Sequence, residues 1–272
     1  MQAETSLLEP ILQHVQASRL YDRHPLLGIY YHAYQMLASN EVESYHRLKS
    51  LLLEENRHYP VNEIKDAYLL AMNFCILEIN KGNTGFYNEA FQLYEQGIRN
   101  LILLENGYLS PITYSNAITI ALRAGAYDNA LQFIETNKKI LQGSEQESFY
   151  FFNLSKYYFD TGNFEKVIEL YYQSNIRELI LNIQVRVIQV KAFYERNETE
   201  ICENLIDNLR QLLSRKGILA YHKDNYSNFC KIFKQLLATN RYDKKALQEL
   251  LDRANSLSPL SEKNWLLEKI AG

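Results

Sequence analysis

The chain has 272 residues, 47% apolar and 22% charged, with a net charge of −3. This balance is that of a folded globular chain, and it argues against a general nucleic-acid binder, which turns many cations toward phosphate. No run reaches the ~18 apolar residues of a membrane span, residues 1–9 lack a secretory-signal pattern, and the three cysteines form no CxxC pair, so a soluble chain in a reducing cytoplasm, with no disulfide framework, metal or cofactor, is expected.

Helical periodicity runs almost throughout. A lead-in helix is expected over about 4 to 18, then six helical hairpins, then a closing helix over about 259 to 270. The hairpin turns are placed at Ala38-Ser39-Asn40, Lys81 to Gly85, Ala124-Gly125, Thr161-Gly162, Arg196-Asn197 and Thr239-Asn240. Glycine and asparagine suit these turns because they tolerate the left-handed conformation that closes a helix. Ala67 to Leu77 is apolar around most of its circumference, which predicts a helix packed on more than one side. Ser110-Pro111 and Ser258-Pro259 each read as an N-cap followed by proline at the first helical position. In the segment from Tyr127 to Leu141, Ala130, Leu131, Ile134 and Leu141 form one apolar stripe. Val185 to Val190 is the most strand-like stretch, but it continues with helical spacing into Phe193 and Tyr194. No strand is expected.

Three turns repeat one pattern. Gly85-Phe86-Tyr87-Asn88-Glu89-Ala90, Gly125-Ala126-Tyr127-Asp128-Asn129-Ala130 and Gly162-Asn163-Phe164-Glu165-Lys166-Val167 each hold a glycine, an aromatic two residues on, and a small or branched apolar residue three further. The glycines are separated by 40 and 37 residues, a period typical of arrays of helical hairpins. The pattern resembles the tetratricopeptide repeat. Tyr114, Ala117, Gly125, Tyr127, Ala130 and Ile134 fall at that family's spacing, as do Phe151, Leu154, Tyr158, Gly162, Phe164, Val167 and Tyr171. Leu103 to Pro111 and Asp224 to Phe229 are also similar to uncharacterised bacterial proteins with such repeats. The resemblance implies a single all-α domain over 1–272, a right-handed superhelix whose end helices cap it.

Enzyme signatures are missing: no GxSxG elbow, Walker loop or GxGxxG. Lys81-Gly82-Asn83-Thr84-Gly85 reads as a hairpin turn. Glu55-Asn56-Arg57-His58 is one Glu-x-x-His, where a di-iron bundle needs two and further glutamates. The six histidines include no i, i+4 pair. The chain is therefore expected not to be an enzyme.

In tetratricopeptide arrays the first helix of each hairpin lines the concave groove. The resemblance places Asn116, Thr119 and Arg123 on that wall, then Phe152, Asn153, Lys156 and Phe159, then Gln184, Lys191 and Tyr194. Asparagines there would hold a peptide backbone, and the cations would favour carboxylates. The positions that carry cations in the family's carboxylate-clamp variant hold Cys75 and Phe149, which argues against chaperone-type C-terminal tails. A second cluster, Arg210, Arg215, Lys216, His222 and Lys223, surrounds the Lys216-Gly217 turn beside Tyr221 and Tyr226. Such a basic loop can dock phosphate or acidic protein. It can equally cap helix carbonyls. The expected function is a scaffold binding a peptide or protein partner. The alternative is a regulatory module that senses a small peptide or nucleic acid for an attached domain.

Overall fold

A computed structural model describes residues 2–54, 59–143, 146–174, 176, 178–214 and 218–272, the side chains of residues 2–9 excepted. Its contacts divide the chain into two compact units, residues 1–143 and 144–272.

The first unit holds α1 (Gln2–Ser18), α2 (Leu20–Arg23), α3 (Pro25–Ser39), α4 (Val42–Glu54), α5 (Val61–Asn80), α6 (Phe86–Arg99), α7 (Pro111–Arg123) and α8 (Tyr127–Asn137), the last followed by a 3-10 turn, Lys138–Ile140. Consecutive helices pack on one another, and α3 also touches α5. Their fully buried side chains come from successive helices: Ile29, Tyr45, Leu48, Ile64, Tyr68, Leu93, Tyr114, Ala117, Ala130 and Ile134. Gly97 lets α6 lie close to α5, since a Cβ there would meet the Tyr68 ring at 2.9 Å and Leu103 at 2.8 Å.

The second unit holds α9 (Gln146–Asp160), α10 (Phe164–Gln173), α11 (Leu179–Glu195), α12 (Thr199–Leu213), α13 (Ala220–Ala238), α14 (Lys244–Ser256) and α15 (Lys263–Ala271). Here α9 packs on both α10 and α11, α11 on α12, α12 on α13, and α13 and α14 on α15. The main core runs from Ile183 and Val187 through Ile206, Phe229 and Phe233 to Leu266 and Ile270. Val185 to Val190 is helical, as its continuation into Phe193 predicts.

Several helix ends follow from local chemistry. Asn40, Gly125, Gly162 and Asn197 take positive φ where α3, α7, α9 and α11 stop, which supplies the left-handed closing residue. Ser110 caps α7 by accepting the Thr113 backbone N–H at 3.1 Å, with Pro111 first in the helix.

Other ends differ from expectation. The left-handed residue after α5 is Gly82, not Gly85 (φ −58°), because α5 stops at Asn80 and Gly85 already precedes α6. Asn240 is not left-handed either; its side chain instead accepts the Tyr242 backbone N–H at 3.0 Å. Leu141 lies beyond α8 and bridges to Leu109. The last helix starts at Lys263 rather than 259. Asn228 donates its amide to the Pro259 carbonyl at 2.9 Å, holding that stretch on α13, and Glu262 precedes the helix at positive φ.

Two strands were not expected. Leu104–Glu105 (β1) and Tyr108–Leu109 (β2) pair antiparallel. Asn106 and Gly107 link them, both at positive φ, as the two-residue hairpin turn requires. The Asn-Gly pair was the signal; strands of two residues are too short to show alternation. As its apolar circumference predicts, α5 packs on more than one side, against α3, α4 and α6, while Leu69, Ile76 and Leu77 stay exposed.

Candidate functional site

The residues expected on one wall fall in both units: Asn116, Thr119 and Arg123 in the first, the others in the second. On α7 the three are spaced by three and four residues and share a face. Asn116 and Arg123 are exposed and Thr119 is half-buried, while Ala117, Ile118 and Ala121 on the same helix are buried. Thr119 spends its hydroxyl on the Ser115 carbonyl at 2.7 Å. Asn116 hydrogen-bonds the Tyr94 hydroxyl, which eases slightly the upward push that burial gives that phenol. This face therefore offers one amide, already tied to α6, and one exposed guanidinium.

The second unit arranges its residues differently. Asn153 is fully buried and donates its amide to the Phe149 carbonyl one turn back at 2.8 Å, so it has no surface to offer a peptide. Lys156 lies half-buried, its ammonium 5.4 Å from the Phe152 ring centre. Phe152 and Phe159 are partly buried against Val167, Ile188 and Ala192. Gln184 hydrogen-bonds Tyr226.

Lys191 and Tyr194 are engaged within the chain. Lys191 is buried and donates to Glu262 at 2.7 Å. Its ammonium also sits 4.0 Å from the Phe159 ring centre and 5.4 Å from that of Trp265, a cation held over aromatic faces. Tyr194 packs edge-on against Phe233 and Trp265, and its hydroxyl meets Arg241. The Trp265 indole N–H donates to Glu195 at 2.7 Å. The expectation that Lys191 faces an open wall is thus corrected. Glu262, from the segment entering α15, already occupies it.

The basic cluster is partly compensated. Arg215 and Lys216 lie outside the described residues, as does the Glu55-x-x-His58 motif. Arg210 and Lys234 both face Asp207, at 3.7 and 2.8 Å, and the Lys234 bond holds that carboxyl below its ordinary pKa. His222 packs on exposed Tyr221, and Lys223 is exposed.

A polar cluster in the first unit was not foreseen. Buried Lys49 donates to Glu89 at 2.7 Å and to Gln92 at 2.5 Å. Tyr45 donates to Glu89 at 3.1 Å, and the Cys75 thiol donates to Tyr45 at 3.1 Å. Burial, with the thiol and the Glu89 charge alongside, pushes the Tyr45 phenol well above its ordinary pKa, while burial lifts the Cys75 thiol to about 12. A reactive cysteine needs a stabilised thiolate, so this arrangement is inert. Its signal was Lys49 itself, set in the apolar stripe of Tyr45, Leu48 and Leu52.

Among the described residues, no group of three or more His, Cys, Asp or Glu side chains is placed to hold a metal ion, and no helix is long and apolar enough to cross a membrane. All three cysteines are free and buried. A scan against protein-family models finds no match, and a search of curated proteins returns no similar chain.

Proposed function

We propose that this chain is a tetratricopeptide-like helical-repeat protein of the cytoplasm, its paired helices stacked as a right-handed superhelix, and that it works by recognition rather than bond-making: a scaffold for a peptide or protein partner. The observation that carries this reading is the α7 face, where Asn116 and Arg123 stand exposed on a helix anchored by buried Ala117, Ile118 and Ala121. A rigid helix that spends its apolar side on the core and offers an amide and a guanidinium outward can hold an extended peptide. The amide meets the peptide's backbone and the guanidinium its acidic groups. Asn153 and Lys191 drop out of the binding set because both are buried, whereas Asn116 and Arg123 are exposed.

The test is selection of peptides from a random library on the whole chain, followed by affinity measurements on Asn116→Ala and Arg123→Glu. Selected peptides should be rich in acidic residues and lose about tenfold or more in affinity on Arg123→Glu. Peptides that bind the double variant as tightly as the parent would remove α7 as the site. Arg123 is exposed and Arg123→Glu should stay within about 0.5 kcal/mol of the parent, whereas Asn116→Ala, which removes the partner of the buried Tyr94 hydroxyl, should cost about 1 kcal/mol.

A further inference from the structure

A cleft of about 400 Å³ opens between α10 and the first half of α11, in the second unit. Among the described residues that line it, the charged one is Arg186. That guanidinium is positioned on two sides. Its Nε–H donates to Asn182 Oδ1 at 2.7 Å, one turn earlier on α11. Its Cζ lies 5.3 Å from the Tyr171 ring centre, on α10. Asn182 is itself fixed, donating its amide to the Ile176 carbonyl at 2.9 Å. Among the described residues, neither Nη group of Arg186 has an acceptor and no acidic side chain lines the cleft.

These facts have a chemical consequence. An arginine held through Nε and seated over a ring keeps both Nη groups for a ligand, and that paired edge matches the two oxygens of a carboxylate. The remaining described lining is mixed: Ser174 donates its hydroxyl to the Tyr171 carbonyl at 3.2 Å, Ile176 and Val185 are buried at the surface of the cleft, and the Tyr172 ring stands exposed at its rim. The volume lies within the range of small-ligand sites, which bury mostly apolar surface around a few placed polar groups.

We propose that this cleft binds a carboxylate carried on an apolar group, with Arg186 as the carboxylate-binding residue and Asn182 and Tyr171 as positioning residues. The carboxylate belongs either to a free organic acid or to the last residue of a peptide. The proposal concerns a different face from α7 and stands whether or not the α7 reading holds.

The experiment titrates the whole chain with N-acetyl-leucine and with N-acetyl-leucinamide, which differ only in the carboxylate, using calorimetry and backbone amide shifts. The acid should bind about tenfold tighter than the amide, with shifts centred on 171–186. Arg186→Gln should abolish that preference. Arg186→Lys, which keeps the charge and loses the paired edge, should retain only part of it. Asn182→Ala should weaken the acid severalfold and leave the amide unchanged. A peptide ending in the same leucine separates the two sources. About tenfold tighter binding than N-acetyl-leucine assigns a peptide terminus, and equal or weaker binding assigns a small acid. Equal binding of acid and amide to the parent chain would overturn the proposal without any variant. So would a preference that survives Arg186→Gln, or failure of both N-acetyl-leucine and the peptide to saturate.

Discussion

Lys49 in the first unit and Lys191 in the second are both buried, and both end on a single glutamate at 2.7 Å, yet the rest of each shell differs. Lys49 adds a second oxygen acceptor from Gln92, and its glutamate also accepts from Tyr45. Lys191 adds the faces of Phe159 and Trp265, and its glutamate is the more exposed of the two, 36% against 26%. The first shell is drawn from α4 and α6 alone. The second depends on the chain entering α15, 71 residues away. A buried charge is costly unless paired and hydrogen-bonded, and the two units meet that demand by different means, one with oxygen acceptors and one partly with ring quadrupoles. This also decides which cation is open to a partner: Lys191 is covered, whereas Arg123 is exposed.

The largest effect should come from Trp265→Ala. It removes a face from Lys191, the packing on Tyr194 and Phe233, and the indole bond to Glu195. A loss of about 3 kcal/mol is expected in urea unfolding followed by circular dichroism. Trp265→Phe should cost less than half of that, since a ring stays over the ammonium. Next come the two glutamates. Glu89→Ala should cost about 2 kcal/mol, leaving Lys49 short of its charge partner. Glu262→Ala should cost about 1 kcal/mol, because the rings and nearby water share the remaining charge. Equal losses would erase the contrast between the shells. Tyr45→Phe should follow at about 1 kcal/mol, the usual worth of a buried hydroxyl's bonds.

The smallest effect near neutrality concerns the thiols. Burial raises Cys75, Cys202 and Cys230 from 9.0 to about 12. The folded chain then holds these protons after the unfolded chain has released them. Stability is therefore untouched below pH 8 and falls as pH rises from about 9 toward 12, by at most about 1.4 kcal/mol per pH unit for each thiol. Urea midpoints across that range check the sign. A single Cys→Ser at 75, beside Tyr45, and at 202 or 230 apportions the fall between the units. Thiol reagents at pH 8 should label the native chain slowly at all three.

The order of helices and several of their ends were legible in the residues, because both are local. Apolar spacing marks a helix wherever it lies, and Asn40, Gly125, Gly162 and Asn197 stop one whatever packs nearby. The Asn106-Gly107 hairpin was written there too, in a dipeptide whose flanking strands are too brief to announce themselves. The candidate site was legible only on α7, where a polar stripe is also an exposed one. Elsewhere the same polar letters took other roles. Asn153 turned inward to a carbonyl of its own helix, and Lys191 was covered by Glu262 and Trp265. Periodicity tells which side of a helix is polar, but exposure is set by whatever arrives from distant parts of the chain. Only tertiary packing could decide that Lys191 is covered while Arg186, five residues earlier, meets no acceptor at its Nη groups among the described residues.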